Sequence, residues 1–237
     1  MKTDDCQSKI DELNIEIDQL LYAISHDLRA PLRAIDGFSQ AVVEDYGDQL
    51  DATGREYLER VRSGGRKVHE YIDGLLLISR ESRGEMALGE VDFTRLVREV
   101  EGVVSTRYDN HVPRFNVEED IMVVADLRLL RLLLEKLLDN AWKFTSRVQD
   151  AAIEVGQMDR AGDQVLYVRD NGVGFDMNYA EKRLFGAFQR MHDDEEYAGL
   201  GVGLATAKRI INRHGGRIWA ESVQHAGTTV FFFLGQV

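Results

Sequence analysis

The sequence predicts an α+β protein with a helical N-terminal region and a C-terminal domain in which strands and helices are mixed. Up to about residue 82, apolar side chains recur every three or four positions, which is the period of an α-helix. From Val91 onward, short β-rich segments alternate with amphipathic stretches. Because some of these strands follow one another through short turns, we expect an antiparallel sheet covered by helices, an α/β sandwich, and not a doubly wound parallel sheet.

The composition excludes several classes of protein. The chain has 237 residues, of which 44% are hydrophobic and 30% charged, a profile typical of soluble globular proteins. Its formal charge of −12 argues against nucleic-acid binding, and its single cysteine excludes an internal disulfide. No apolar run approaches the roughly 18 residues of a membrane span. We therefore expect a cytoplasmic location, although a sensor region outside this chain could attach the full-length protein to a membrane.

The first helical stretch begins as a coiled coil. Its apolar residues follow a 3-4-3-4 spacing, so residues 1–22 are predicted to form a coiled-coil lead-in helix. Beyond Ile24 the spacing changes to two successive steps of four, which is a stutter close to Pro31. His26 is two residues from both Ile24 and Leu28, and this spacing turns it away from the apolar stripe. The seam and its continuation consist of Ile10, Leu13, Ile17, Leu20, Ile24, Leu28, Pro31, Ile35, Phe38 and Val42.

A second heptad run, from Leu58 to Leu75, follows a glycine-punctuated connection at 47–54. Two amphipathic helices joined in this way predict an antiparallel hairpin over residues 23–82. A lone hairpin would leave its apolar stripe half wet, so we expect a homodimer with a four-helix bundle. Residues 83–90 are predicted to be a hinge, and residues 91–237 the second domain.

Three stretches of the second domain carry possible chemistry. "RDNGVGFD" (169–176) ends a strand with an acid and two glycines, which allow close approach of a flat ligand. "AGLGVGLATAKRI" (198–210) is a glycine cluster that runs into a helix, whose N-terminal amides can bind phosphate. "EKLLDNAWKF" (135–144) places Asn140 and Lys143 on one helical face, where they could meet Mg²⁺ and phosphate. Each stretch alone could equally be a turn, a cap or a solvated charge.

Five motifs in this order resemble a sensor histidine kinase core, nearest to the phytochrome-like branch. "SHDLRAPLRAIDGF" is similar to the family's H box and "LLDNAWKF" to its N box. "DNGVGF" and "GLGVGLA" resemble its two glycine boxes, and "LFGAFQRMH" its phenylalanine box. The resemblance covers about residues 10–235. It implies a dimerisation and histidine-phosphotransfer hairpin, followed by an ATP-binding domain of the Bergerat fold.

The resemblance also implies roles for individual residues. His26 would accept a phosphoryl group from ATP with Asp27 as its acidic neighbour, and an aspartate of a response-regulator receiver domain would take the group in trans. Asn140 would hold Mg²⁺, Lys143 would contact phosphate, and Asp170 would accept from the adenine amine. The remaining residues implied in cofactor binding are Gly172, Gly174, Gly199, Leu200, Gly201 and Gly203. Phe185 and Phe188 would anchor a lid, although plain core packing explains them equally well.

The chain departs from the family pattern at three positions. Ala30 stands where many relatives carry a Thr or Asn that holds an attacking water, which argues against phosphatase activity. Lys136 stands where the family often has a second Asn, which could weaken Mg²⁺ binding unless Glu135 compensates. Ala187 replaces a proline of the phenylalanine box, a small change in lid stiffness.

Two other functions stay open from the sequence. The first is an ATPase that drives conformational change, as gyrases and Hsp90-type chaperones do; an outward histidine on a dimerising hairpin argues against it. The second is a degenerate kinase that acts as a dimeric scaffold, for which Lys136 is the main support. The sequence also leads us to expect that an upstream sensor domain or sensor protein supplies the signal.

Overall fold

The protein divides into two compact units, Met1–Arg80 and Glu81–Val237. The structure is a computed structural model that describes residues 2–80, 85–108, 111–160, 162–180, 183–192, 197 and 199–235. The predicted α+β class is confirmed, with two helices in the first unit and a helix-covered sheet in the second. The helices are α1 (Lys2–Tyr46), α2 (Ala52–Arg80), α3 (Phe93–Ser105), α4 (Leu127–Thr145), α5 (Met177–Ala180) and α6 (Gly203–Arg213). The strands are β1 (Leu88–Asp92), β2 (Arg114–Val117), β3 (Met122–Asp126), β4 (Ala152–Arg160), β5 (Asp163–Asp170), β6 (Arg217–Val223) and β7 (Gly227–Phe233).

The first unit is the helical hairpin that the apolar periodicity predicts. α1 and α2 contain 45 and 29 residues, and a short turn after Tyr46 reverses the chain between them. The Arg62 guanidinium lies 3.3 Å from the Asp36 carboxylate and joins the two helices near the turn. α1 continues through Pro31 and through residue 22, so the predicted limit of the lead-in segment is not a break in the helix. Among the described residues, no helix is long and apolar enough to cross a membrane.

The hairpin leaves its apolar stripe in water. Inside the unit, Ser25 and Ser39 of α1 and Ile72 and Leu76 of α2 are buried. From Leu20 to Val42 the stripe predicted on α1 is nevertheless exposed, and Phe38 reaches 75% exposure; the side chains of Ile10, Leu13 and Ile17 lie outside the described part of the chain. An uncovered stripe of this kind is typical of a helix that packs against a further helix. Its exposed members are Leu20, Ile24, Leu28, Ile35, Phe38 and Val42.

The second unit contains a five-stranded sheet with the order β2-β4-β5-β7-β6 and a two-stranded sheet of β1 and β3. β2 pairs with β4 in parallel, whereas every other pair in both sheets is antiparallel. The predicted antiparallel character is therefore correct for most of the sheet. Helices α3, α4 and α6 share one buried core with the large sheet.

Of the hinge predicted at 83–90, residues 88–90 belong to β1, and residues 83 and 84 lie outside the described residues. β1 pairs with β3 from Leu88↔Asp126 to Asp92↔Met122. Helix α3 begins at Phe93, because the Asp92 carboxylate accepts a hydrogen bond from the Arg95 N–H at 2.9 Å and caps the first turn. A short strand with a glycine and two acids lacks the alternating pattern by which strands are recognised in sequence.

Helix α4 organises the second unit. Six of its leucines and Trp142 are almost fully buried and belong to the main core, namely Leu129, Leu130, Leu133, Leu134, Leu137 and Leu138 together with Trp142. The same helix keeps Asn140 and Lys143 partly exposed on another face. This amphipathic division fixes the polar residues of α4 on a rigid element, which positions side chains more accurately than a loop does.

The start of α4 is joined to two distant segments. The Asp126 carboxylate accepts hydrogen bonds from the Leu129 N–H at the helix start and from the Ala87 N–H just before β1, both at 3.0 Å. The Asp126 N–H donates to His214 Nε2 at 3.1 Å, and the other ring nitrogen of His214 lies 2.8 Å from the Ile210 carbonyl oxygen. The entry to the domain, the start of α4 and the end of α6 therefore meet at one residue, Asp126: the first two at its carboxylate and the third at its main-chain N–H.

Candidate functional site

A cavity of about 320 Å³ lies between α4 and the glycine-rich segment that leads into α6. Six of the residues predicted to bind a cofactor line it, namely Asn140, Lys143, Gly199, Leu200, Gly201 and Gly203. The structure therefore brings together two stretches of sequence that are about sixty residues apart. Its further lining residues are Lys136, Asp139, Phe144, Phe175, Leu184, Gln189, Arg190, Met191, His192, Tyr197, Val202 and Leu204.

One face of α4 supplies the charged wall of the cavity. Lys136, Asn140 and Lys143 all line it, which is the i, i+4, i+7 spacing of a single helical face. The Lys143 ammonium stands 4.5 Å from the centre of the Phe144 ring. Burial lowers the pKa of Lys143, and the nearby Arg190 guanidinium adds to this effect. A desolvated cation in a cavity is well placed to meet a phosphate oxygen.

Two glycines of the second glycine-rich stretch are required by the backbone. Gly201 has a φ of +70°, and a Cβ there would lie 2.5 Å from the Gln189 carbonyl oxygen. The Gly201 carbonyl accepts a hydrogen bond from the Phe188 N–H at 2.9 Å, which joins the loop to the preceding segment. Gly199 has a φ of +142°, and a Cβ there would approach Lys143 Nζ to 3.2 Å. These positions let the main chain run close to α4.

Asp170, Gly172 and Gly174 stand at the end of β5 and are not among the residues that line this cavity. Asp170 lines a second cavity on the sheet. Gly172 lies next to Phe144, a residue that lines the first cavity, because a Cβ at Gly172 would lie 2.6 Å from the Phe144 carbonyl oxygen. The Asp170 carboxylate accepts a hydrogen bond from the Gly172 N–H at 2.8 Å. Burial raises the pKa of Asp170 to about 6.

We expect Gly174→Ala to destabilise the second unit. Gly174 has a φ of +54°, and a Cβ would lie 2.0 Å from the Val223 carbonyl oxygen, which belongs to the rigid backbone of β6. The strain and the clash should cost at least about 2 kcal/mol. Gly102→Ala is the matched control, because Gly102 lies in α3 with no atom within 4 Å of its added Cβ and should gain up to about 1 kcal/mol. Urea unfolding of both variants measures the difference, and equal stabilities would contradict it.

Sequence reasoning missed the residues that close the cavity opposite α4. Arg190 donates hydrogen bonds to the carbonyl oxygens of Gly199 and Tyr197, both at 2.6 Å. Phe144, His192 and Tyr197 form an aromatic cluster whose ring centres lie 5.2–5.6 Å apart. In the sequence, only the motif "FQRMH" indicates this segment. The contact between Phe144 and Tyr197 could not be predicted, because the two residues are far apart in the sequence.

The two phenylalanines predicted to anchor a lid differ in their surroundings. Phe185 packs against the main core and against a smaller cluster of Ala180, Leu184 and Ala220. Phe188 has a φ of +61°, and its N–H bonds to Gly201. Phe185 thus contributes to core packing, whereas Phe188 holds the glycine loop through its main chain.

In the helical unit, His26 is the exposed histidine that the spacing predicts. Its side chain is 75% exposed, and its Nδ1 lies 3.2 Å from Asp27 Oδ1. Helical spacing alone does not pair adjacent residues, so this contact depends on the side-chain rotamers. If Asp27 accepts a hydrogen bond from Nδ1, then Nε2 keeps its lone pair and faces solvent.

Two families match the two units. Residues 16–84 match the His Kinase A (phospho-acceptor) domain. Residues 125–236 match the family described as histidine kinase-, DNA gyrase B-, and HSP90-like ATPase. The chain belongs to the histidine kinases. A histidine kinase core therefore accounts for both units, with His26 inside the first matched range and the cavity inside the second.

Named relatives support this family assignment. The chain is 33% identical to cyanobacterial phytochrome B of Nostoc sp. over 232 residues, which is 97% of the chain and 31% of that protein. It is 34% identical over 231 residues to the methanogenesis regulatory histidine kinase FilI of Methanothrix harundinacea, covering 95% of the chain and 25% of that protein. The histidine kinase core described here thus spans about a third or less of these relatives.

Solved histidine kinases share the fold. Full-length ShkA, determined in complex with AMPPNP, matches with a TM-score of 0.61 and 25% identity over 90% of this chain and 45% of that chain. The Acinetobacter baumannii histidine kinase AdeS matches with a TM-score of 0.57 and 20% identity, over 89% of this chain and 98% of that chain. At this identity, the likeness to AdeS concerns the fold alone.

Proposed function

We propose that the chain is an ATP-dependent protein histidine autokinase of a two-component system, which phosphorylates His26 and passes the phosphoryl group to an aspartate of a separate receiver domain. The observation that carries the proposal is the pairing of an exposed histidine in a phospho-acceptor domain with a cation-lined cavity in an ATPase-type domain. Neither part alone specifies a kinase, because the ATPase-type family also includes gyrase and Hsp90.

The chemistry at His26 follows from its contact with Asp27. With Nδ1–H donated to the Asp27 carboxylate, the Nε2 lone pair attacks the γ-phosphorus. An N–P bond forms, the bond from phosphorus to the bridging oxygen breaks, and ADP leaves. The Nδ1 proton can pass to Asp27, which removes the positive charge that the ring gains. Asp27 therefore acts by orientation and as the proton acceptor.

ATP fits the cavity through complementary charge. Lys143 and Arg190 bring positive charge, and the glycine-rich segment brings main-chain amides. Asp170 would accept a hydrogen bond from the adenine amine, with Gly172 and Gly174 allowing the ring to approach. Because Gly172 lies against the Phe144 carbonyl, the end of β5 and the cavity share one wall.

The residues present also fit Mg²⁺, provided the nucleotide supplies most of the ligands. The described residues contain no cluster of three or more His, Cys, Asp or Glu side chains that could hold a metal by themselves. Mg²⁺ commonly takes one or two protein oxygens together with phosphates and waters. Asn140 offers one amide oxygen in the cavity. Bound Mg²⁺ would neutralise charge that develops on the phosphates.

Glu135 does not compensate for the missing second Asn in this arrangement. It is absent from the cavity lining, and its carboxylate lies 3.9 Å from the Arg107 guanidinium. The neighbouring Asp139 lines the cavity, but it is engaged by Arg107 at 3.4 Å and by the Tyr108 hydroxyl at 3.1 Å. The acids of α4 are thus held toward Arg107 and Tyr108.

The exposed stripe of α1 supports a homodimer. A second copy would cover the same apolar side chains, and such a pairing generates the four-helix bundle. His26 lies on the opposite side of α1 from this stripe, so dimerisation would leave it accessible to a receiver domain.

We expect Phe38→Glu to convert the dimer to a monomer. A charge in the middle of the stripe would be buried without a partner, which weakens association at least 100-fold. Tyr22→Glu is the matched control, because Tyr22 is an exposed aromatic outside the stripe. Sedimentation equilibrium reports the association state. A Phe38→Glu protein that stays dimeric would rule out this interface.

Incubation with γ-³²P-ATP and Mg²⁺ tests the proposed function. We expect a label on the chain that is stable in alkali and lost in acid, as a phosphoramidate is, and that moves to an added receiver domain. ATP hydrolysis without a label would support the conformational ATPase instead. ATP binding with neither label nor hydrolysis would support the scaffold.

A further inference from the structure

We propose that Lys136 is a phosphate-binding residue of the nucleotide site and lowers the dependence of ATP binding on Mg²⁺. The proposal rests on the proposed nucleotide site but goes beyond it, because it assigns a role to the residue that departs from the family pattern. In the family pattern, the position of Lys136 often carries an Asn, whose side chain is an amide. In this chain it places a cation one helical turn before Asn140, on the wall that faces the glycine-rich segment.

Among the described residues, the Lys136 ammonium has no ion-pair partner. None of the ion pairs formed among the described residues involves Lys136, although Glu135 and Asp139 are its immediate neighbours on α4. Both of those acids lie close to Arg107 instead. Of the described residues that line the cavity, three are cations (Lys136, Lys143 and Arg190), and Asp139 is the single carboxylate. The excess of positive charge among these described lining residues fits a polyanion better than a cation.

The start of α6 faces the same residue. A Cβ added at Gly203 would lie 3.8 Å from Asn140 Nδ2 and 3.9 Å from Lys136 Cβ, so the first turn of α6 lies against this part of α4. The residue before it, Val202, makes no side-chain capping bond. The first amides of the 11-residue helix therefore lack a side-chain acceptor, and Gly203 at the helix start lines the same cavity as Lys136.

These contacts place Lys136 on the cavity wall that adjoins the start of α6, on the same face of α4 as Asn140 and Lys143. An ammonium there neutralises phosphate charge that Mg²⁺ would otherwise neutralise. The same ammonium repels Mg²⁺ at Asn140. Both effects act in one direction, because they raise the affinity for metal-free ATP and reduce the gain in affinity that Mg²⁺ brings.

Calorimetric titration of the intact chain with ATP, ADP and adenosine, each with Mg²⁺ and with EDTA, tests the proposal without requiring turnover. For the wild type we expect Mg²⁺ to change the ATP dissociation constant by less than about fivefold. Lys136→Asn should weaken ATP binding in EDTA by about tenfold, which is the effect of one lost charge-assisted contact, and should leave adenosine binding unchanged. Lys136→Arg should retain most of the wild-type affinity for ATP in EDTA.

Lys208→Asn is the matched control, since it removes the same charge from an exposed position further along α6. If Lys136→Asn leaves ATP affinity in EDTA unchanged while adenosine still binds, Lys136 does not hold phosphate and the proposal is wrong. If only the Mg²⁺-bound affinity rises, Lys136 acts by repelling the metal alone, which also overturns the proposal. Loss of binding for every nucleotide in the wild type would instead overturn the proposed function.

Discussion

His26→Gln abolishes autophosphorylation and leaves nucleotide binding intact. Glutamine keeps a similar size and polarity but has no nitrogen lone pair that can attack phosphorus, so the label should fall at least about 1000-fold, to background. Because His26 is exposed on α1, the substitution removes no packing, and the hairpin should keep its helicity. Acid-labile ³²P on the chain measures the loss, and calorimetry with ATP measures the retained binding.

His69→Gln is the control for this result. His69 lies on α2 of the same hairpin, so its replacement tests whether any histidine of the unit accepts the label. We expect labelling of this variant to stay within about twofold of wild type. Label that persists in His26→Gln and disappears in His69→Gln would assign the phospho-acceptor to α2. Asp27→Asn should retain a reduced label, since it removes the proton acceptor but keeps the attacking nitrogen.

Asp170→Asn should have opposite effects on ATP binding, which it weakens, and on the stability of the nucleotide-free protein, which it raises. In the proposed site, the substitution replaces the acceptor for the adenine amine by an amide and should weaken ATP binding at least 100-fold, because a buried donor loses its partner. Without nucleotide, the same change should stabilise the protein. Burial raises the pKa of Asp170 from 3.8 to about 6, which corresponds to about 3 kcal/mol of unfavourable burial of the charged form at pH 7.

The stabilisation should be smaller than that figure and should depend on pH. The amide must still accept the hydrogen bond from the Gly172 N–H, so we expect a net gain of about 1 kcal/mol at neutral pH. The folded state holds the Asp170 proton more tightly than the unfolded state does. The contribution of Asp170 to stability therefore falls as the pH rises from about 4 to about 6 and is constant above that range. Asp170→Asn should remove this fall.

Thermal unfolding between pH 4 and pH 8 checks the expected pH dependence, with Asp163→Asn as the control. Asp163 begins the same strand at its exposed end, so its replacement should change neither the pH profile nor ATP binding. An Asp170→Asn protein that binds ATP normally would remove Asp170 from the site. One whose stability shows the wild-type pH dependence would mean that another group titrates in this range.

Much of the fold could be predicted because its elements are long and strongly periodic. The apolar spacing predicts α1 and α2, and the sequence also places residues 135–144, which belong to α4, on a helix. β1 could not be predicted, because it is stabilised by pairing with β3, which lies about thirty residues away. α3 begins at Phe93 for a local reason, since the Asp92 side chain caps its first turn.

The site was predictable to the extent that it consists of motifs. Asn140, Lys143 and the second glycine-rich stretch meet at the cavity because a helix face and a helix start have fixed geometry. Arg190 and Tyr197 could not be anticipated, since their places depend on hydrogen bonds from a guanidinium to main-chain carbonyls. The contact between His26 and Asp27 depends on rotamers, which helical spacing does not specify.

The hydrogen bonds at Asp126 connect the segment just before β1 directly to the start of α4. One carboxylate holds both the Ala87 amide at the domain entry and the first turn of α4, and α4 carries Asn140 and Lys143 as a stiff rod of 19 residues. A displacement of the chain at Ala87 would therefore act on the first turn of α4 through a single carboxylate, and through that helix on Asn140 and Lys143.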